Sequence, residues 1–85
     1  MKLPIIKHLS QFIDENDQDY LIETIEVLES LCEVSSLKDD ELDVLGEIIS
    51  NIYGALEVHK MTKTGIEKKE ALNTFMRRVL GSIDQ

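Results

Sequence analysis

Apolar positions recur along this chain with a period near 3.6 residues, which predicts helices almost throughout and no strands. Ile5, Ile6, Leu9, Phe12 and Ile13 mark the first helix, expected over 4–15 with Pro4 in its first turn, where a missing N–H costs nothing. Asn16 and Asp17 are N-cap residue types and open a second helix over 17–34. On its wheel Tyr20, Leu21, Leu28, Leu31 and Cys32 share one side, Val27 and Val34 extend it, and glutamates fill the other. A long third helix is expected over 37–63. Ser36-Leu37-Lys38-Asp39 is read as its capping box, and Gly65 as the residue that ends it. Its apolar register is Leu42, Leu45, Ile49, Ile52 and Leu56, widened by Val44, Ile48 and Ala55. The fourth helix, over 66–81, presents Ala71, Leu72, Phe75, Met76, Val79 and Leu80. Thr64-x-x-Glu67 is a second candidate capping box and Gly81 a stop. The fold class is therefore all-α: a four-helix, bundle-like domain over 1–85, organised around the long third helix.

A length of 85 residues is enough for one small core. Hydrophobic residues make up 42% of the chain, too many for a disordered acidic tail. With no Trp and only two Phe and two Tyr, the core must be built from branched aliphatics. The third helix strains that picture. Twenty-seven residues rise ~40 Å, more than the ~30 Å diameter of a compact chain of this length. It must kink, with Gly54 the natural place, or reach a partner. Leu45, Ile48, Ile49, Ile52, Tyr53, Ala55 and Leu56 also span about half of its circumference, which asks for at least two neighbours. Gly46, Ser50 and Gly54 lie at i, i+4, i+8 beside Tyr53, and each mid-helix Gly costs ~1 kcal/mol relative to Ala. Small residues at that spacing let another helix come close, within the chain or between chains. The expectation drawn is a homodimer crossing at Gly46, Ser50, Tyr53 and Gly54.

Charge adds a second asymmetry. The net charge is −8. Residues 1–57 carry 3 basic and 14 acidic side chains, and residues 58–85 carry 6 basic and 3 acidic. Glu23, Glu26, Glu29 and Glu33 form an acidic face suited to a basic protein partner, or simply a solvated stripe. Six cations on a chain this acidic argue against a nucleic-acid surface. A helix-turn-helix-like DNA-binding regulator using the fourth helix, with Arg77 and Arg78, is kept as an alternative.

Catalytic and cofactor signatures are missing. His8 and His59 have no partner at metal-ligand spacing, Cys32 has no C-x-x-C mate, and the four Gly are isolated. The reading is non-enzymatic, without cofactor or metal. No apolar run approaches a membrane span, and the Met1-Lys2-Leu3-Pro4 start lacks a signal peptide, so a cytoplasmic protein is expected.

Two resemblances bear on function. Ser35-Ser36-Leu37, followed by Glu41-Leu42, resembles the Asp-Ser-Leu motif of acyl carrier proteins, which are also short, acidic and four-helical. It implies a prosthetic group on Ser36. Here Ser35 stands where the family has an acidic residue, the following helix is about twice the family's length, and the family's long first loop is absent. The chain as a whole resembles a family of short, acidic, all-helical bacterial proteins of unknown function. That likeness rests on Tyr53-Gly54-Ala55-Leu56-Glu57-Val58-His59-Lys60-Met61 and on Lys68-Lys69-Glu70-Ala71-Leu72-Asn73-Thr74-Phe75-Met76-Arg77-Arg78-Val79. It implies a bacterial cytoplasmic setting and no particular activity. The function expected is that of a small accessory or regulatory protein acting through protein–protein contacts.

Overall fold

In a computed structural model, which describes residues 2–83 and side chains as far as Val79, four helices follow one another: α1 (Leu3–Glu15), α2 (Asp19–Leu31), α3 (Asp39–Lys63) and α4 (Lys68–Ile83). No strand occurs among the described residues. Helix α3 is the longest at 25 residues and runs unbroken through both Gly46 and Gly54. It is the scaffold: α1 and α4 pack on it and on each other, and α2 packs chiefly on α3 alone. The molecule is elongated and flat, 44 × 35 × 18 Å, with a radius of gyration of 13.8 Å against ~12 Å for a compact chain of this length.

The core lies at one end of that scaffold. Every buried residue of α3 falls in its C-terminal half: Asn51, Ile52, Gly54, Ala55, Val58 and Met61. Ile6 and Ile13 of α1, Leu21 and Ile25 of α2, and Ala71, Leu72 and Phe75 of α4 close around them. From Asp39 to Ser50, by contrast, α3 contains no buried residue at all. Leu42, Leu45 and Ile49 are half-buried there, and Val44 and Ile48 are exposed. The expected face of α2 shifts for the same reason. A single neighbour covers a narrow stripe, so Leu21, Ile25 and Leu28 turn inward, while Tyr20, Val27, Leu31 and Val34 stay in the open.

Helix ends differ from the sequence reading in instructive ways. Asn16 closes α1, its backbone N–H (2.9 Å) and side-chain amide (3.1 Å) both donating to the Phe12 carbonyl. Asp17 accepts the Asp19 N–H at 2.9 Å and so supports the first turn of α2, whose boundary residue is Gln18. Helix α2 stops at Leu31, short of 34. The Cys32 N–H is shared between the Leu28 and Glu29 carbonyls, and turns then carry the chain past Ser35 and Ser36. Ser36 is not the N-cap of α3, contrary to expectation. Lys38 is, and its backbone N–H donates to the Glu41 carboxylate at 2.9 Å. Glu at the third helical position outcompetes the Ser-x-x-Asp alternative because its longer side chain reaches back to the cap. Thr64 likewise serves the end of α3, donating to the Met61 carbonyl at 2.7 Å, instead of opening α4. Helix α4 starts at Lys68, with the Glu67 carbonyl accepting the Ala71 N–H, and runs on through Gly81.

Gly65 behaves as expected. At φ 101° it lets its own N–H reach Thr62 O (3.1 Å) and the Ile66 N–H reach Met61 O (3.4 Å), the two reversed bonds that seal a helix end. Leu80, assigned from sequence to the apolar face of α4, lies outside the residues whose side chains are described.

Candidate functional site

The core is left open at the hairpin formed by the end of α2 and the start of α3. Leu31 and Val34 on one side, and Leu37, Val44 and Leu45 on the other, line an open apolar groove of about 540 Å³. Its rim carries Asp40 and Glu41. Val27, Val34 and Val44 are 61%, 46% and 60% exposed, and Leu31 and Ile48 only slightly less. Such a run of large aliphatics in water is costly: each fully buried side chain of this kind is worth ~1.5–3 kcal/mol relative to exposure.

The spacing explains how the surface arises. Val44, Ile48, Asn51, Ala55 and Val58 lie on one stripe of α3 with intervals of four, three, four and three residues. From Asn51 onward that stripe is buried in the core; at Val44 and Ile48 the same stripe is bare. On α2, Tyr20, Thr24, Val27 and Leu31 form a second stripe with intervals of four, three and four, exposed throughout and adjacent to the covered stripe of Leu21, Ile25 and Leu28; Val34, in the turn beyond the helix, is exposed as well.

Asn51 marks the boundary between covered and bare α3. It is 1% exposed, and its Oδ1 accepts the Lys2 backbone N–H at 2.8 Å. Its amide donates to the Glu47 carbonyl (2.7 Å) and carboxylate (3.3 Å). The start of α1 is thereby fixed to the middle of α3. The Asn51 hydrogen bond is the main cause that lowers the Glu47 carboxyl below its ordinary value. Sequence reasoning passed over this residue, although an Asn within an otherwise apolar 4–3 stripe is a readable signal.

The four positions expected at a helix crossing differ in exposure. Gly54 is buried in the chain's own core, where a Cβ would lie 3.1 Å from Ile6 Cδ1 and from Phe75 Cε2 and Cζ. The close approach that it permits is therefore to α1 and α4. Gly46 is exposed with nothing near its missing Cβ, and Ser50 is half-buried. Tyr53 is exposed and donates its hydroxyl to Glu29 on α2 at 3.3 Å. Desolvation first, and Glu29 second, raise the Tyr53 phenol above its ordinary value.

Glu23, Glu26, Glu29 and Glu33 are all exposed along α2, and Glu29 is the one held by Tyr53. Cys32 is a half-buried free thiol at the end of α2. His8 is exposed on α1 and His59 half-buried near the end of α3. Among the described residues, no group of three or more His, Cys, Asp or Glu could hold a metal ion. On α4, Arg77 is exposed, and Arg78 pairs with Glu57 of α3 at 3.7 Å. Lys68 pairs with Asp14 of α1. A smaller cavity of about 430 Å³ lies between α2 and the second half of α3, where Gln18 and Ile22 face Tyr53, His59 and Lys63. Leu56, Glu57 and Lys60 complete its mixed lining. Among the described residues, no helix is long and apolar enough to cross a membrane.

The model of a family of unknown function (DUF6952) matches residues 1–84, and the chain belongs to that family. No curated protein and no solved structure matches it.

Proposed function

We propose that this member of the family is a small non-enzymatic accessory or regulatory protein that works in the cytoplasm of a bacterial cell by docking to another protein through the α2–α3 hairpin. One observation carries the reading. The apolar stripe that builds the core around Ala55 and Val58 continues to Val44 and Ile48, which are exposed, and Val44 shares an open groove with Leu31 and Val34. A chain under no pressure to dock would gain solubility by making these positions polar, as contiguous exposed apolar patches mark interaction sites. The test is a photo-crosslinking side chain placed at Val44 and, separately, at Ile5 on α1, in cells of the native host. Discrete adducts from Val44 and none from Ile5 support the reading; no adduct from Val44 overturns it.

A second reading is a homodimer, with the hairpins of two copies covering one another. The 4–3 spacing of the bare positions favours it, since that is how paired helices interdigitate. Light scattering at high micromolar concentration decides: a clean 9.7 kDa species excludes the dimer, and twice that mass supports it.

A further inference from the structure

The proposed docking surface has a chemistry that selects its occupant. The groove between the end of α2 and the start of α3 is apolar along its floor, from Leu31 and Val34 to Val44 and Leu45. Its two charged lining residues, Asp40 and Glu41, are both acidic. Residues 23–47 contain nine carboxylates (Glu23, Glu26, Glu29, Glu33, Asp39, Asp40, Glu41, Asp43 and Glu47) and a single cation, Lys38. Every one of them except Glu47 is exposed, and Asp40 and Glu41 stand directly on the groove.

The form of the occupant follows from the bare stripes. Farther along α3, the stripe through Ala55 and Val58 is covered by the chain's own helices. Its continuation through Val44 and Ile48 therefore has the shape and period that a helix fits, with an apolar seam to match. The sign of the occupant follows from the rim. A second copy seated here by a twofold axis would bring its own Asp40 and Glu41 against the same acidic border, and like charges facing across an interface are costly. A helix with lysine or arginine flanking its apolar seam would meet complementary charge at Asp40 and Glu41.

Building on the docking reading, we infer that the α2–α3 groove binds a basic amphipathic helix of a partner protein, its apolar seam lying on Leu31, Val34, Val44, Leu45 and Ile48 and its cations against the Asp40 and Glu41 rim. Association is steered by charge and weakens as salt rises, because exposed charges are screened beyond about one Debye length, ~10 Å at 0.1 M salt.

The test uses the full chain and two labelled helical peptides with the same leucine seam, one flanked by lysines and the other by glutamates. Fluorescence anisotropy at low salt should show saturable binding of the lysine peptide at least ~10-fold tighter than the glutamate peptide. Raising the salt should weaken it. Val44→Lys should reduce the affinity by at least ~10-fold, while Ile5→Lys, exposed on α1, should leave it unchanged; circular dichroism checks that both variants keep their helices. Equal binding of both peptides, lost in Val44→Lys, keeps the groove as a docking site but overturns its preference for a basic helix. Equal loss in Val44→Lys and Ile5→Lys overturns the location. No binding of either peptide, with a solution mass of two chains that Val44→Lys halves, assigns the groove to a second copy and overturns the proposal. No binding of either peptide by a monomer overturns the docking reading along with it.

Discussion

Gly46 and Gly54 give a controlled comparison, because both interrupt the same helix and only one is packed. Replacing either by Ala removes a helix-interior penalty of ~1 kcal/mol. At Gly46 nothing stands within 4 Å of the added Cβ, so the gain should appear in full. For a domain of this length ~1 kcal/mol shifts the melting midpoint by ~4–8 °C. At Gly54 the Cβ meets Ile6 Cδ1, Phe75 Cε2 and Phe75 Cζ, each at 3.1 Å. Ordinary carbon contacts lie at ~3.5–4.0 Å, so α1 and α4 must each give by a few tenths of an ångström. Ile6 is fully buried and Phe75 nearly so, which leaves little room to yield. Overpacking of a closed core costs ~1–3 kcal/mol. Set against the helix gain, Gly54→Ala should range from neutral to ~2 kcal/mol destabilising. Thermal and urea unfolding of the two variants beside the parent measure the gap directly, with Gly46→Ala the more stable by ~1–3 kcal/mol. Equal stabilisation by both substitutions would refute the reasoning, for it would mean that α1 and α4 do not approach α3 at Gly54.

Asn51→Ala leaves the Lys2 N–H without its buried acceptor and should destabilise the chain by ~1–3 kcal/mol in urea unfolding; a change below ~0.5 kcal/mol would contradict the anchoring role. Glu41→Ala should cost ~1 kcal/mol through loss of its bond to the Lys38 N–H, whereas Ser36→Ala should leave the unfolding midpoint where it is; the reverse order would restore Ser36 as the cap. Glu47 is held below its ordinary value in the folded chain, so its contribution is present above the unfolded pKa, near 4.5, and is lost as pH falls through the lower folded value. Unfolding followed from pH 7 downward should therefore show a shallower acid loss in Glu47→Gln than in the parent, and identical pH dependence would rule that linkage out.

Much of this architecture can be read from residue pattern, and the parts that cannot share a cause. The four helices follow from the 3.6-residue period, and the end of α3 from Gly65, because both are local properties of the chain. Burial is not local. The wheel of α2 places Leu31 and Val34 with Leu21, but only tertiary structure decides that α2 has a single substantial neighbour and that its outer stripe stays bare. Gly54 and Gly46 look equivalent in sequence; the difference is that α1 and α4 reach the first and not the second. The cap of α3 was read as Ser36-x-x-Asp39, and the structure moves it to Lys38, because the longer Glu41 side chain reaches back to the Lys38 N–H. The breadth of the apolar arc on α3 did foretell several neighbours, and α1, α2 and α4 all pack against it. Its length asked for a kink or a partner; α3 runs without a break, and its first half, which has no buried residue, borders the candidate contact surface.

The central claim is that the bare hairpin groove is a docking surface, and methyl NMR of the full chain tests it most directly. On addition of the lysine-flanked helical peptide, the methyl signals of Leu31, Val34, Val44, Leu45 and Ile48 should shift together and saturate, while those of Ile6, Ile13 and Ala71 stay fixed. Shifts centred on α1 and α4, with the hairpin methyls unmoved, would contradict the account.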